Sequence, residues 1–147
     1  MMGCFSARAM AIGLSAAICV LSLGCKGEEK PVTEGLVTVT GTVTLNGKPL
    51  TGGSIMFAPA KKNAKLRNPN SQIDAEGKYD LTWSTDEMGA LPGAYTVVVI
   101  YMDGIVTEDG PPPKSLIPEK YNNVATSGLS ATVKESGENV FDFDLTE

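Results

Sequence analysis

The stretch Val37-Thr38-Val39-Thr40-Gly41-Thr42-Val43-Thr44-Leu45 alternates without a break, with Val37, Val39, Val43 and Leu45 on one side and Thr38, Thr40, Thr42 and Thr44 on the other. Successive side chains of a strand point to opposite faces, so this period of two predicts a half-buried strand with its aliphatic face inward. Asn46-Gly47 follows, a pair that accepts the positive φ of a type I′ turn, so the chain should double back there. Residues 48–53 continue the turn region, and a second strand is predicted over Ser54 to Ala58, stopped by Pro59.

The same reading extends to the C-terminus. Ser71-Gln72-Ile73 resumes extended structure, Asp74-Ala75-Glu76-Gly77 is a turn signal, and Lys78-Tyr79-Asp80-Leu81-Thr82-Trp83 alternates again, with Tyr79, Leu81 and Trp83 inward. Residues 93–101 contain the unbroken β-branched run Thr96-Val97-Val98-Val99-Ile100, which predicts a strand covered on both faces at the centre of a sheet. Leu129 to Val133 and Val140 to Leu145 are the last strands; in the second, Phe141, Phe143 and Leu145 share a face while Asp142 and Asp144 take the outer one. Carboxylates placed there are expected to guard an edge against strand pairing. About seven short strands, with no helical period after Cys25, predict an all-β fold: a single β-sandwich over residues 36–147.

Upstream of that domain the chain changes character. An apolar stretch from Ala9 to Leu23 follows Arg8 and closes on Gly24-Cys25, and the charged run Lys26-Gly27-Glu28-Glu29-Lys30 comes at once after it. The stretch is shorter than the roughly 20 residues that cross a bilayer as a helix, which suits a cleaved export signal better than an anchor. Residues 1–24 are accordingly expected to be a lipoprotein signal peptide, and residues 25–35 a lipidated cysteine with a flexible tether. Most such signals place a branched aliphatic residue three before the cysteine and a small one two before; here those places hold Ser22 and Leu23. By its resemblance to bacterial lipoproteins, the segment is expected to be cut between Gly24 and Cys25. Cys25 would then carry a diacylglycerol thioether and an amide-linked acyl chain of the palmitate class. A single myristoyl chain binds a membrane only marginally, whereas two or three chains hold it stably. The tether between Lys26 and Glu34 would reach at most about 30 Å.

Composition narrows the remaining choices. Lys and Arg number 12 against 17 Asp and Glu, for a net charge of −5, and loss of Arg8 with the signal makes the remainder more acidic still. Phosphate backbones would be repelled, and Lys61, Lys62, Lys65 and Arg67 form a loop cluster without interleaved aromatics, so no nucleic-acid partner is expected. The chain has no histidine, which removes Ser/His/Asp and Cys/His nucleophiles and His-ligated zinc. All three cysteines, Cys4, Cys19 and Cys25, lie at or before the expected cut, so no disulfide is expected in the domain.

The order Gly41-Thr42-Val43-Thr44-Leu45-Asn46-Gly47-Lys48-Pro49-Leu50, Gly53-Ser54-Ile55-Met56-Phe57-Ala58-Pro59, Asp74-Ala75-Glu76-Gly77-Lys78-Tyr79 and Leu91-Pro92-Gly93-Ala94-Tyr95-Thr96-Val97 resembles the carboxypeptidase-regulatory-like, transthyretin-like domain. Ile117-Pro118-Glu119-Lys120-Tyr121 and the ending Asn139 to Leu145 look like small lipoproteins of the planctomycete type. The resemblance implies a prealbumin-like sandwich and an envelope address, and it transfers no activity. The hydroxyisourate hydrolase known on this fold uses histidines and a Tyr-Arg-Gly-Ser ending, and this chain has neither.

The expected function is therefore a lipid-anchored envelope protein, with a membrane partner through the acyl chains on Cys25 and a non-catalytic module facing another envelope protein or a polysaccharide, on the outer membrane toward the periplasm or the surface. No cofactor and no metal are expected. The alternative is a carbohydrate- or calcium-binding module built on the 102–123 loop, where Asp103, Glu108 and Asp109 could offer oxygens and Tyr121, which is otherwise expected to pack down on a sheet edge, a stacking face. Alternation places Trp83 and Tyr101 in the core instead.

Overall fold

The computed structural model describes residues 35–61, 66–105 and 110–147. The signal region with Gly24, the lipidation candidate Cys25, the tether up to residue 34, and the loop carboxylates Glu108 and Asp109 lie outside the described residues.

The domain is all-β, two sheets arranged as a sandwich. In chain order the strands are β1 (Thr40–Leu45), β2 (Lys48–Pro49), β3 (Ser54–Pro59), β4 (Asn70–Gln72), β5 (Lys78–Asp80), β6 (Thr82–Ser84), β7 (Glu87–Met88), β8 (Gly93–Ile100), β9 (Leu129–Val133) and β10 (Phe143–Leu145), with a 3-10 turn at Glu119–Asn122. One sheet centres on β1, which pairs in parallel with β10 on one side and antiparallel with β5 and then β2 on the other. The second runs β7-β6-β4-β3-β8-β9. The β1–β2 hairpin turns on Asn46 and Gly47, at φ 51° and 74°, as that dipeptide predicts.

The described residues hold ten strands where about seven were expected, because one predicted run is divided between sheets and two short strands, β2 and β7, form within segments expected to be turns. The alternating run 78–83 is split at Leu81: β5 pairs with β1 in the first sheet, and β6, which extends to Ser84, with β4 and β7 in the second. Leu81 is fully buried at that corner, its amide bonded to the Val39 carbonyl at 2.9 Å. The run 37–45 divides too, Val37 bridging to Ala90 before β1 begins. β8 is flanked on both sides, yet it is next to the edge strand rather than central. Val98 is buried on the face opposite Val97 and Val99, so the strand's middle is covered on both faces, while Ala94 and Ile100 are exposed.

Between the sheets, the Phe57 ring lies 6.2 Å from Tyr79, 5.9 Å from Tyr95, 6.1 Å from Phe141 and 6.2 Å from Phe143, all tilted or edge-on. Such geometry suits the ring quadrupoles and adds about 0.5–1.5 kcal/mol per pair to the burial itself. Tyr95 donates its hydroxyl back to the Leu91 carbonyl at 2.8 Å, a tyrosine corner that fixes the entry of β8; burial pushes this hydroxyl up to about 12.

Strand β10 begins later than its apolar pattern suggests. Val140 bridges Thr40 and Phe143 pairs with Val43, yet between them the Phe141 carbonyl accepts the Tyr79 hydroxyl at 2.7 Å, and the Thr42 amide donates to the Asp142 carboxylate at 2.8 Å. A side chain at position 41 has no room there, since a Cβ would overlap the Phe141 carbonyl oxygen and come within 2.8 Å of the Tyr79 hydroxyl. Burial, and after it the charge of Asp142, raises the Tyr79 hydroxyl well above the usual phenol range, keeping it a donor.

Gly41→Ala is expected to lower stability by about 2–3 kcal/mol through overpacking against fixed backbone. Tyr79→Phe, which leaves the Phe141 carbonyl without its donor, should cost about 1–2 kcal/mol. Urea denaturation of both variants checks the order, and a Gly41→Ala protein as stable as the parent would contradict the close approach.

Candidate functional site

β1 carries its even-numbered residues outward, so Thr38, just before the strand, and Thr40, Thr42 and Thr44 form a row on the outer face of the first sheet. In the register, Thr40 lies opposite Asp80 and Thr42 opposite Lys78 on β5, with Val140 beside Thr40 on the other flank. Thr38, Thr40 and Thr42 of this row floor two adjoining hollows. One, of about 530 Å³, lies between β1, β5 and the 71–74 segment; the other, of about 420 Å³, extends toward the turn at residues 136–139, and the two share Thr40 and Val140. Val140 is 55% exposed and contributes to the apolar surface that lies among the groove's mainly polar residues.

The groove's walls are held by internal bonds. Asp74 Oδ1 accepts the amides of Glu76 at 2.9 Å and Lys78 at 2.7 Å and so shapes the turn into β5. Asn139 is buried and ties the other end, accepting the Lys134 amide at 2.8 Å and donating to the Lys134 carbonyl at 3.2 Å. Thr40, Thr42, Lys78 and Asp80 line the groove from an open sheet face. Such a set can exchange hydrogen bonds with a polar ligand. Among the described residues, no three His, Cys, Asp or Glu side chains gather as a metal site.

The last-strand carboxylates act within the sheet. Asp142 takes the Thr42 amide, while Asp144 Oδ1 accepts the Thr44 hydroxyl at 2.7 Å and the Gly47 amide at 3.1 Å. They pin the parallel β1–β10 pair and the β1–β2 turn in addition to placing charge at an edge. The Thr44 hydroxyl first, then the Gly47 amide, hold Asp144 below the ordinary carboxylate range.

The 102–123 loop does not gather its described candidates. Asp103 is exposed, and its carboxylate is engaged by the Lys114 amide at 2.6 Å beside the Met102–Ser115 bridge. Tyr121 is only 5% exposed, within the core cluster, and its hydroxyl exchanges bonds with Thr146, donating at 3.2 Å and accepting at 3.0 Å. It offers no stacking face to a sugar, which removes that alternative for it; the loop's apolar Ile117 and Tyr121 instead join the core. Trp83 is buried and Tyr101 partly buried against the core, as alternation predicts.

The groove over the threonine face is not legible in the sequence, because periodicity assigns a face to solvent without giving its curvature. The close approach at Gly41 did leave a trace, since a lone glycine inside a strand pattern marks such contacts.

No family model matches the chain, and no curated protein matches it. Among solved structures it is similar to a 9R-lipoxygenase from Cyanothece PCC8801, at a TM-score of 0.39 and 16% identity over 81% of this chain. The chain spans 17% of the length of that protein. A likeness of that degree bears on neither activity nor partners.

Because Asp144 has a lowered value in the folded state, its stabilisation is complete above the carboxylate pKa of the unfolded chain and is lost as pH falls through the folded one. Thermal melting from about pH 7 to about pH 2 should therefore show the parent losing its advantage over Asp144→Asn at the acid end. Parallel curves would remove this role for the carboxylate.

Proposed function

We propose that this chain is a lipid-anchored envelope protein whose β-sandwich is a non-catalytic interaction module. The observation that carries the reading is the placement of Cys25, which ends an apolar stretch too short to span a bilayer and opens a charged run leading to the domain. Cleavage between Gly24 and Cys25 and acylation of Cys25 would fix the chain to a membrane, most simply the outer membrane facing the periplasm or the surface. With two or more acyl chains supplying the attachment, the domain itself is free of that task. Among the described residues no helix is long and apolar enough to cross a membrane.

What the domain presents supports an interaction role. The threonine-floored groove on the first sheet is open and lined mainly by polar residues with apolar surface between them, and its walls are fixed by the Asp74 and Asn139 bonds. A polysaccharide or a polar segment of another envelope protein suits that surface. The net negative charge of the chain disfavours polyanions.

Expression in a bacterial host fed a labelled fatty acid tests the anchor. The parent should take up label and sediment with membranes, whereas Cys25→Ser should remain unlabelled and keep its first 24 residues. Label retained by the Cys25→Ser variant, or a parent released unlabelled into the medium, would refute the reading.

A further inference from the structure

A sheet edge exposes unpaired N–H and C=O groups, and proteins blunt such edges with very short strands, prolines, charges or covering segments. Most edges of this sandwich are blunted in these ways. β7 has two residues, β2 consists of Lys48-Pro49, and β10 has three, with Asp144 in its middle, Asp142 just before it and the Tyr121–Thr146 bonds just after it. β9 is different. Its five residues, Leu129-Ser130-Ala131-Thr132-Val133, contain no charge and no proline, its register with β8 is regular, and among the described residues no strand pairs with its far side.

The direction of its free groups follows from the ladder. The Ala60 amide bonds the Ala94 carbonyl at 2.9 Å, continuing the Pro59–Tyr95 register, so even-numbered residues of β8 turn their backbone groups toward β3. Odd-numbered ones turn toward β9, where Tyr95 meets Ala131. Leu129, Ala131 and Val133 therefore bond to β8, and Ser130 and Thr132 direct N–H and C=O outward. The next outward residue, Lys134, already has both groups satisfied by the Asn139 side chain, which ends the free edge.

We propose that this edge pairs antiparallel with the same strand of a second copy of the chain, about a two-fold axis at Ala131. In that register Ser130 faces the partner's Thr132 and Thr132 the partner's Ser130, each pair exchanging two backbone hydrogen bonds. Leu129 falls beside the partner's Val133, so the inner faces of the two sheets join apolar to apolar. Lys134 meets the partner's Gly128, and no like charges are opposed. The strand is thus complementary to itself over its whole length, which is why the occupant is another copy and not a foreign strand. The result is one continuous sheet across the two molecules.

The test is the mass of the full-length protein in mild detergent, measured by sedimentation equilibrium at about 10–100 µM, where two-chain particles are expected. Thr132→Pro deletes an outward donor and leaves the bonds to β8 untouched; it should fold with unchanged circular dichroism and associate at least roughly tenfold more weakly. Should that variant not fold, the pair Ser130→Lys with Thr132→Lys, which sets lysines against lysines across the seam, should give single chains. A parent that is a single chain throughout this range, or a two-chain particle that every folded variant leaves intact, would overturn the proposal.

Discussion

The whole arrangement depends on how closely the backbone of residues 139–145 can approach β1. At Gly41 the two chains are so near that the Phe141 carbonyl occupies the space of a side chain, and the Tyr79 hydroxyl reaches that carbonyl from β5. Three segments far apart in sequence are thereby fixed by one absent Cβ and one buried donor. Were the donor lost, a carbonyl inside the sandwich would have no partner, which costs more than an ordinary exposed hydrogen bond contributes. Asp142 completes the exchange by taking the Thr42 amide that the Phe141 carbonyl leaves free.

From that junction the rest of the sandwich follows. With β5 held against β1, the chain turns at Leu81 and passes directly into the second sheet, and the Leu81 amide on Val39 holds the two sheets together at this corner. Phe57, between four other aromatic rings, fills the volume so enclosed. Ile117 and Tyr121 add to the same core from an irregular segment, which does covering that a strand would otherwise do. The long loop is therefore partly a structural wall, which explains why its aromatic residue is not available to a ligand.

The two exposed features differ in kind. The groove over Thr40 and Thr42 is a surface of side chains, adaptable in what it can hydrogen-bond. The β9 edge is a surface of backbone groups, whose spacing admits only another strand. They lie on different sheets, and Asn139 touches both, as a wall of the groove and as the partner of Lys134 at the end of the β9 edge.

Much was legible in the residues themselves. Alternation over 37–45, the Asn46-Gly47 turn, the Asp74 to Gly77 turn and the inward set Tyr79, Leu81 and Trp83 were all readable, because a period of two and a positive φ are local properties of the chain. Which sheet each half of the 78–83 run joins, and that the outer threonines floor a groove, depended on non-local pairing that no local pattern encodes. Tyr121 shows the same limit: its neighbours in sequence are loop residues, and only the tertiary fold, by bringing Thr146 within hydrogen-bond reach, decided that it is buried. Sequence by itself determined the longer strands, the tight turns at Asn46-Gly47 and Asp74 to Gly77, and the side those strands turn inward, since these follow from backbone sterics and apolar burial. The tertiary structure decided which strands meet, which edges stay open and which polar groups are engaged, because each depends on partners tens of residues away.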